Sequence, residues 1–157
     1  MGKHEEFMDR LQKSRPAMFR VAEWLHKNNM SVYIPRIRMM PKNGKLEDYV
    51  DDCDIYVECP ERGKFKIEVK HIGVDFTSQK DWPFPEIIVS NKGSVDRNWG
   101  KVKAYITVNK SMTHTVTVNC DTIDGWQLKS IYASNYQKEE VFYVCPLHYG
   151  QFRKLSE

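Results

Sequence analysis

Residues 53–72 read CDIYVECPERGKFKIEVKHI, and this stretch alternates apolar and polar side chains on either side of a short turn. Alternation with a period of two is typical of half-buried β-strands. It predicts one strand over about Cys53–Glu58 and a second over about Lys64–Ile72. The turn, Pro60-Glu61-Arg62-Gly63, contains the proline and glycine that commonly interrupt strands. The two strands are therefore expected to form a hairpin.

The alternation assigns the side chains of this hairpin to two faces. The apolar face carries Cys53, Ile55, Val57, Ile67 and Val69. The other face carries Asp54, Tyr56, Glu58, Glu68 and Lys70. If the strands pair, the carboxylates of Asp54 and Glu68 and the ammonium of Lys70 converge at one end of the sheet. Carboxylates on opposite faces would contradict this interpretation.

These three side chains have a definite chemical use. Two carboxylates hold a hard divalent cation such as Mg²⁺ or Mn²⁺ and leave positions for water and a phosphate oxygen. Such a metal polarises the phosphoryl group and lowers the pKa of its water. The Lys70 ammonium can orient that water or stabilise developing negative charge. The alternative is an exposed strand face on which Glu68 and Lys70 are ordinary solvated charges.

Three other acidic residues compete with Asp54 for the role of first carboxylate. Asp51 and Asp52 lie in a predicted turn, where aspartate is common because it bonds to the local backbone. Glu58 has the parity of Asp54 but lies further along the strand, about 13 Å away at the usual rise per residue. Asp54 is preferred because the alternation begins there.

The region before the hairpin predicts helix and then strand. Helical spacing runs through Glu5–Gln12, and Ser14 followed by Arg15-Pro16 indicates a helix start. That helix should reach about Lys27, and Asn28-Asn29 predicts its end. Its buried stripe would consist of Met18, Val21, Ala22 and Leu25. A strand over Val32–Met39 is interrupted by Pro35, so it should lie at a sheet edge or carry a bulge.

The region after the hairpin predicts further strands. They cover Glu86–Ser90, Ala104–Asn109, Thr113–Asn119 and Val141–Cys145. Ile123–Ala133 fits either a helix or a strand plus a loop. The expected order is helix, three strands, an irregular segment and then several more strands.

Composition is that of an ordinary globular domain. The chain has 157 residues, of which 41% are hydrophobic and 29% charged, with a net charge of +3. No apolar run is long enough for a bilayer and the first residues lack the apolar core of a signal peptide, so a cytoplasmic location is expected. The cysteines form no C-x-x-C pair and are expected to be buried or half-buried free thiols. They are Cys53, Cys59, Cys120 and Cys145.

The order of one helix and three strands, with Asp54 opening one strand and Glu68-Val69-Lys70 on the next, resembles the PD-(D/E)xK nuclease superfamily. The resemblance covers about Ser14–Ile72, and Cys53 stands where the family motif has proline. It implies one nuclease-like domain over residues 1–157. The implied fold is α/β, a restriction-endonuclease-like αβββ core with a mixed central sheet and an added antiparallel C-terminal region.

The same resemblance implies a divalent-metal-dependent deoxyribonuclease. Asp54, Glu68 and the backbone carbonyl of Val69 would hold Mg²⁺ or Mn²⁺, and Lys70 would be the catalytic lysine. Alanine at Asp54, Glu68 or Lys70 is expected to abolish cleavage and leave the fold intact. Later segments look like small nuclease-like proteins of phages, for which the host cytoplasm would be the location. The alternative function is an inactive nuclease fold that binds DNA or another protein, and a third is a structural role without nucleic acid.

The implied partner is DNA, and a homodimer is allowed because many members of the superfamily dimerise. Many members also place an additional acid on the first helix; here Glu23 either borders the site or faces solvent. Clustered cations suit a phosphate backbone. The candidate DNA contacts are Arg36, Arg38, Lys42, Lys45 and Arg97. Trp99, close to Arg97, either stacks on a base or anchors a loop.

Overall fold

A computed structural model describes residues 2–35, 41, 43–44, 53–133 and 137–155. The helices are α1 (Lys3–Lys27) and α2 (Lys92–Arg97). The strands are β1 (Ser31–Tyr33), β2 (Ile55–Cys59), β3 (Gly63–His71), β4 (Ile87–Asn91), β5 (Val102–Val108), β6 (His114–Asn119), β7 (Gln127–Ala133), β8 (Lys138–Cys145) and β9 (Gln151–Lys154). Short 3₁₀ helices span Gln79–Asp81, Cys120–Gly125 and Leu147–Tyr149.

Within these residues the strands form two sheets. The central sheet has six strands in the order β1-β2-β3-β5-β6-β9. Its β3 and β5 run parallel, whereas the other neighbours are antiparallel. The second sheet has three antiparallel strands in the order β4-β8-β7. The predicted α/β class and mixed central sheet are confirmed, and a small antiparallel sheet accompanies them.

The predicted hairpin is the β2–β3 pair. The strands are antiparallel, with Ile55 opposite Ile67 and Cys59 opposite Gly63. Gly63 closes the turn with φ of 73°, a conformation that glycine adopts without steric cost. Ile55 and Ile67 are 0% and 3% exposed, so the apolar face that alternation predicted is the buried one.

Helix α1 is longer than the sequence predicted. It begins at Lys3, where the Glu5 carboxylate accepts the Gly2 N–H at 3.0 Å, and runs through Pro16 without a break. The predicted helix start at Ser14 is therefore wrong. Proline in a helix interior removes one backbone hydrogen bond and costs about 3 kcal/mol. Burial of the turns that follow Pro16, beginning at Ala17, offsets that cost.

The C-terminal part of α1 matches its prediction. The predicted stripe is buried and consists of Met18, Val21, Ala22 and Leu25. The helix ends at Lys27, and Asn29 adopts φ of 63°, so the predicted stop is confirmed. Strand β1 then lies at an edge of the central sheet, as expected for a strand limited by Pro35. The second half of that predicted strand lies outside the described residues.

Two buried clusters lie on the two faces of the described central sheet. The first joins α1 to the sheet and includes Val21, Leu25, Ile55, Ile67 and Ile106. The second joins the three-stranded sheet to the opposite face and includes Phe76, Ile87, Tyr105, Val116 and Trp126. Neighbouring residues of β5 divide between the clusters, since Ile106 belongs to the first and Tyr105 to the second. The central sheet is therefore covered on both sides.

The later part of the chain contains elements that the sequence did not predict. Helix α2 starts after Asn91, whose side chain accepts the Ser94 N–H at 2.8 Å. Strand β9 follows Gly150 and pairs with β6. The ambiguous segment Ile123–Ala133 divides between a 3₁₀ helix and β7. No helix among the described residues is long and apolar enough to cross a membrane.

Candidate active site

The β2–β3 register places Asp54 in line with Glu68. Ile55 pairs with Ile67, and in an antiparallel pair the next position on each strand is Asp54 and Glu68. Asp54 Oδ2 accepts the backbone N–H of Val69 at 2.7 Å. This bond fixes the carboxylate beside the backbone that links Glu68 to Lys70.

The two faces of the hairpin differ in burial as the alternation requires. Val57 and Val69 are 2% and 9% exposed and belong to the cluster beneath α1. Asp54, Glu68 and Lys70 are half-buried, and their positions alternate with those apolar residues. The structure therefore brings these three side chains to one face, which is the side of the central sheet away from α1.

The charges of the three groups act on one another. Burial lowers the pKa of the Lys70 ammonium to about 8, while the carboxylates of Glu68 and Asp54 act in the opposite direction. Both carboxylates therefore lie close enough to Lys70 to stabilise its charge. The result is a compact group of two anions and one cation in a partly desolvated position.

Strand β5 adds two residues that sequence reasoning missed. Tyr105 lies opposite Glu68 and Thr107 opposite Lys70 in the parallel β3–β5 pair. They are 4% and 6% exposed. Burial raises the pKa of the Tyr105 hydroxyl, and electrostatic interactions with Cys120 and then Glu68 act in the same direction. Nothing in the sequence signals this pairing, because the two strands are separated by β4 and α2.

The donor chemistry of the group fits a hard cation. Asp54 and Glu68 supply carboxylate oxygens and Val69 supplies a backbone carbonyl, which suits Mg²⁺ or Mn²⁺ better than a soft metal. A carboxylate has about four lone-pair positions, so the bond from the Val69 N–H does not exhaust Asp54. Among the described residues no three His, Cys, Asp or Glu side chains gather as a metal site. Water and a phosphate oxygen would therefore have to complete the coordination.

The structure does not bring Glu23 together with this group. Its carboxylate is 3.1 Å from Lys27 Nζ and 3.4 Å from Arg20, both on the same helix. Hydrogen bonding to Lys27 lowers the pKa of the Glu23 carboxyl. The side chain is exposed, and α1 covers the face of the sheet opposite Asp54 and Glu68. Of the two alternatives for Glu23, the structure supports the solvent-facing one.

Only one of the five residues predicted to contact DNA lies within the described part of the chain. Arg36, Arg38, Lys42 and Lys45 lie outside the described residues. Arg97 ends α2 and is exposed. Trp99 follows in the next turn and is 54% exposed. Only Arg97 can thus be located, and it does not lie on the hairpin.

The cysteines are free and buried, as the sequence predicted. Burial raises the pKa of the Cys120 and Cys145 thiols to about 11. Such thiols are poor nucleophiles and poor metal ligands near neutral pH.

Comparison with known proteins adds no assignment: no protein-family model, curated protein or solved structure matches the chain.

Proposed function

We propose that the chain is a divalent-metal-dependent deoxyribonuclease with a restriction-endonuclease-like core. One observation carries the proposal: the β2–β3 register sets Asp54 in line with Glu68, with Lys70 on the same face. The order of α1 followed by three antiparallel strands, and the mixed sheet that they enter, supports the choice of fold. A single nuclease-like domain over residues 1–157 and a host-cell location belong to the same proposal.

The reaction would be hydrolysis of a phosphodiester by water. A bound Mg²⁺ or Mn²⁺ would supply Lewis-acid activation and a more acidic water. Asp54 and Glu68 would hold the ion, together with the carbonyl of Val69. The Val69 N–H keeps the Asp54 carboxylate in one orientation. Lys70 would stabilise negative charge at the phosphate, in a position where partial burial strengthens electrostatic interactions.

A cleavage panel tests the proposal directly. Linear, circular, single-stranded and branched DNA would be incubated with the protein and with Mg²⁺ or Mn²⁺. Glu68→Ala is expected to reduce cleavage to background, and Lys70→Ala to reduce it about 10²–10³-fold. Glu58→Ala is the matched control, because Glu58 has the same parity but is exposed at the other end of β2. Cleavage at the wild-type rate by Glu68→Ala would contradict the proposal.

A second candidate function is a nuclease fold that binds DNA or a protein without cutting. It is favoured by the lack, among the described residues, of a third ligating side chain beside the two carboxylates. Titration of Mg²⁺ and Mn²⁺ into the wild type and into Asp54→Asn separates the candidates. Metal binding that Asp54→Asn weakens favours the nuclease, and no binding by either protein favours the binding module. DNA affinity that does not fall with salt would contradict a DNA-binding role in either candidate, since phosphate contacts release counterions.

A further inference from the structure

A cavity of about 600 Å³ lies beneath the C-terminal end of α1. Its walls include Leu25 of α1, Ile67 of β3 and Ile106 of β5, all members of the apolar cluster on that face. Asp54, Glu68 and Lys70 project from the other face of the sheet. The cavity is therefore separate from the candidate active site. Its volume lies within the range of pockets that hold small organic ligands, about 300–1,000 Å³.

Positive charge surrounds this cavity. Four cations line it: Arg62, Lys64, Lys103 and Arg153. None of the four forms an ion pair with a carboxylate in the described part of the chain. Asp121 is the single carboxylate among the described residues of the lining. Cations without ion-pair partners around a concave wall focus the electrostatic potential there and attract an anionic group.

Aromatic rings accompany the cations. Trp24, Phe65 and Trp99 line the cavity. Trp24 and Phe65 are half-buried, whereas Trp99 is 54% exposed and stands before Gly100, which has φ of 78°. A large exposed ring beside cations is a common platform for a nucleic-acid base, because every base has a face that stacks.

We propose that this cavity binds a nucleoside phosphate. The phosphate lies among Arg62, Lys64, Lys103 and Arg153, and the base stacks on the tryptophan and phenylalanine rings. The ligand is either a free nucleotide or the end of a strand, since both present the same phosphate and base. This site goes beyond the proposed nuclease and does not depend on it.

Binding is measured by calorimetry and by tryptophan fluorescence. The probes are deoxynucleoside 5′-monophosphates, a 5′-phosphorylated oligonucleotide and inorganic phosphate. A nucleotide is expected to bind at least about tenfold more tightly than phosphate, because stacking contributes only with a base present. Tighter binding of the oligonucleotide would identify the end of a strand as the ligand. Tighter binding of the mononucleotide would identify a free nucleotide. Equal affinity for phosphate and nucleotide would overturn the assignment, as would no binding of any probe at millimolar concentration.

Variants place the binding in this cavity. Lys103→Ala is expected to weaken nucleotide binding about tenfold or more, since it removes a charge-assisted contact. Lys101→Ala is its control, because Lys101 lies in the turn just before β5 and outside the lining. Unchanged affinity in Lys103→Ala and in Trp99→Ala, an exposed side chain whose loss spares the core, would overturn the proposal.

Glu68→Ala is expected to bind the nucleotide normally, so loss of cleavage and loss of this binding can be told apart.

Discussion

Replacement of Asp54 by alanine is expected to destabilise the fold as well as remove a candidate metal ligand. Asp54 Oδ2 accepts the backbone N–H of Val69 at 2.7 Å, and Val69 is only 9% exposed. Hydrogen bonds to a charged group contribute about 1.5–3 kcal/mol, and alanine leaves the Val69 N–H without this acceptor. Asp54 itself is half-buried, so water reaches the position in part and the lower end of the range applies, about 2 kcal/mol.

This loss is large enough to measure. In a chain of this size 1 kcal/mol corresponds to about 2–4 °C in Tm, so Asp54→Ala is expected to melt about 4–8 °C below the wild type. Urea denaturation followed by far-UV circular dichroism gives the free energy of unfolding directly. The sequence-based expectation that all three alanine variants leave the fold intact therefore needs revision for Asp54.

Asp54→Asn is the matched control. The asparagine amide oxygen can accept the same N–H, but a neutral bond is about half as strong, so the loss is expected to stay below about 1 kcal/mol. Both variants remove the negative charge and are expected to lose cleavage alike. An Asp54→Ala variant as stable as the wild type would show that the bond to the Val69 N–H does not stabilise the fold. An equal loss of stability in Asp54→Asn and Asp54→Ala would contradict the part assigned to the acceptor oxygen.

Two further predictions concern packing and acid stability. A methyl group at Gly150 would lie 2.5 Å from Ile87 Cδ1. Gly150→Ala is therefore expected to lower the free energy of unfolding, measured by urea denaturation, by about 1–3 kcal/mol. Gly73→Ala, with open space around the added Cβ, is the control, and equal stability of the two variants would contradict the packing. Hydrogen bonds, chiefly from the Thr77 N–H, lower the pKa of Asp81 to about 2. The stability that the ionised carboxylate adds to the fold is therefore present above about pH 4 and is lost as the pH falls towards 2. The difference in unfolding free energy between the wild type and Asp81→Asn should therefore shrink between pH 5 and pH 2. A difference that does not change with pH would contradict this contribution of the Asp81 carboxylate.

Local pairing explains why the hairpin could be predicted from the sequence. Alternation along residues 53–72 sets which side chains share a face, and Gly63 in the short turn keeps the two strands adjacent. A slip of one residue would move an isoleucine from the cluster beneath α1 to the face that carries Asp54 and Glu68, so burial fixes the register. Asp54 and Glu68 are placed by that same register.

Long-range pairing explains what the sequence did not predict. β3 pairs in parallel with β5 across a connection that contains β4 and α2, and no pattern within either strand specifies that partner. Tyr105 therefore appears beside Glu68 only in the folded chain. The continuous helix through Pro16 was also not predicted from the sequence. Burial of the turns that follow Pro16 outweighs the local sequence signal for a helix start.

The alternation that defines the candidate active site also keeps it apart from the cavity. Ile67 lines the cavity, whereas the next residue, Glu68, points to the other face. Lys64 at the cavity and Lys70 at the carboxylates lie about 20 Å apart along the strand. A ligand in the cavity thus touches neither Asp54 nor Glu68, and the effects of substitutions at Lys64 and at Lys70 on stability should add independently. Coupling between them, if measured, would have to pass through β3 and β5 themselves, because these two strands contribute residues to both places.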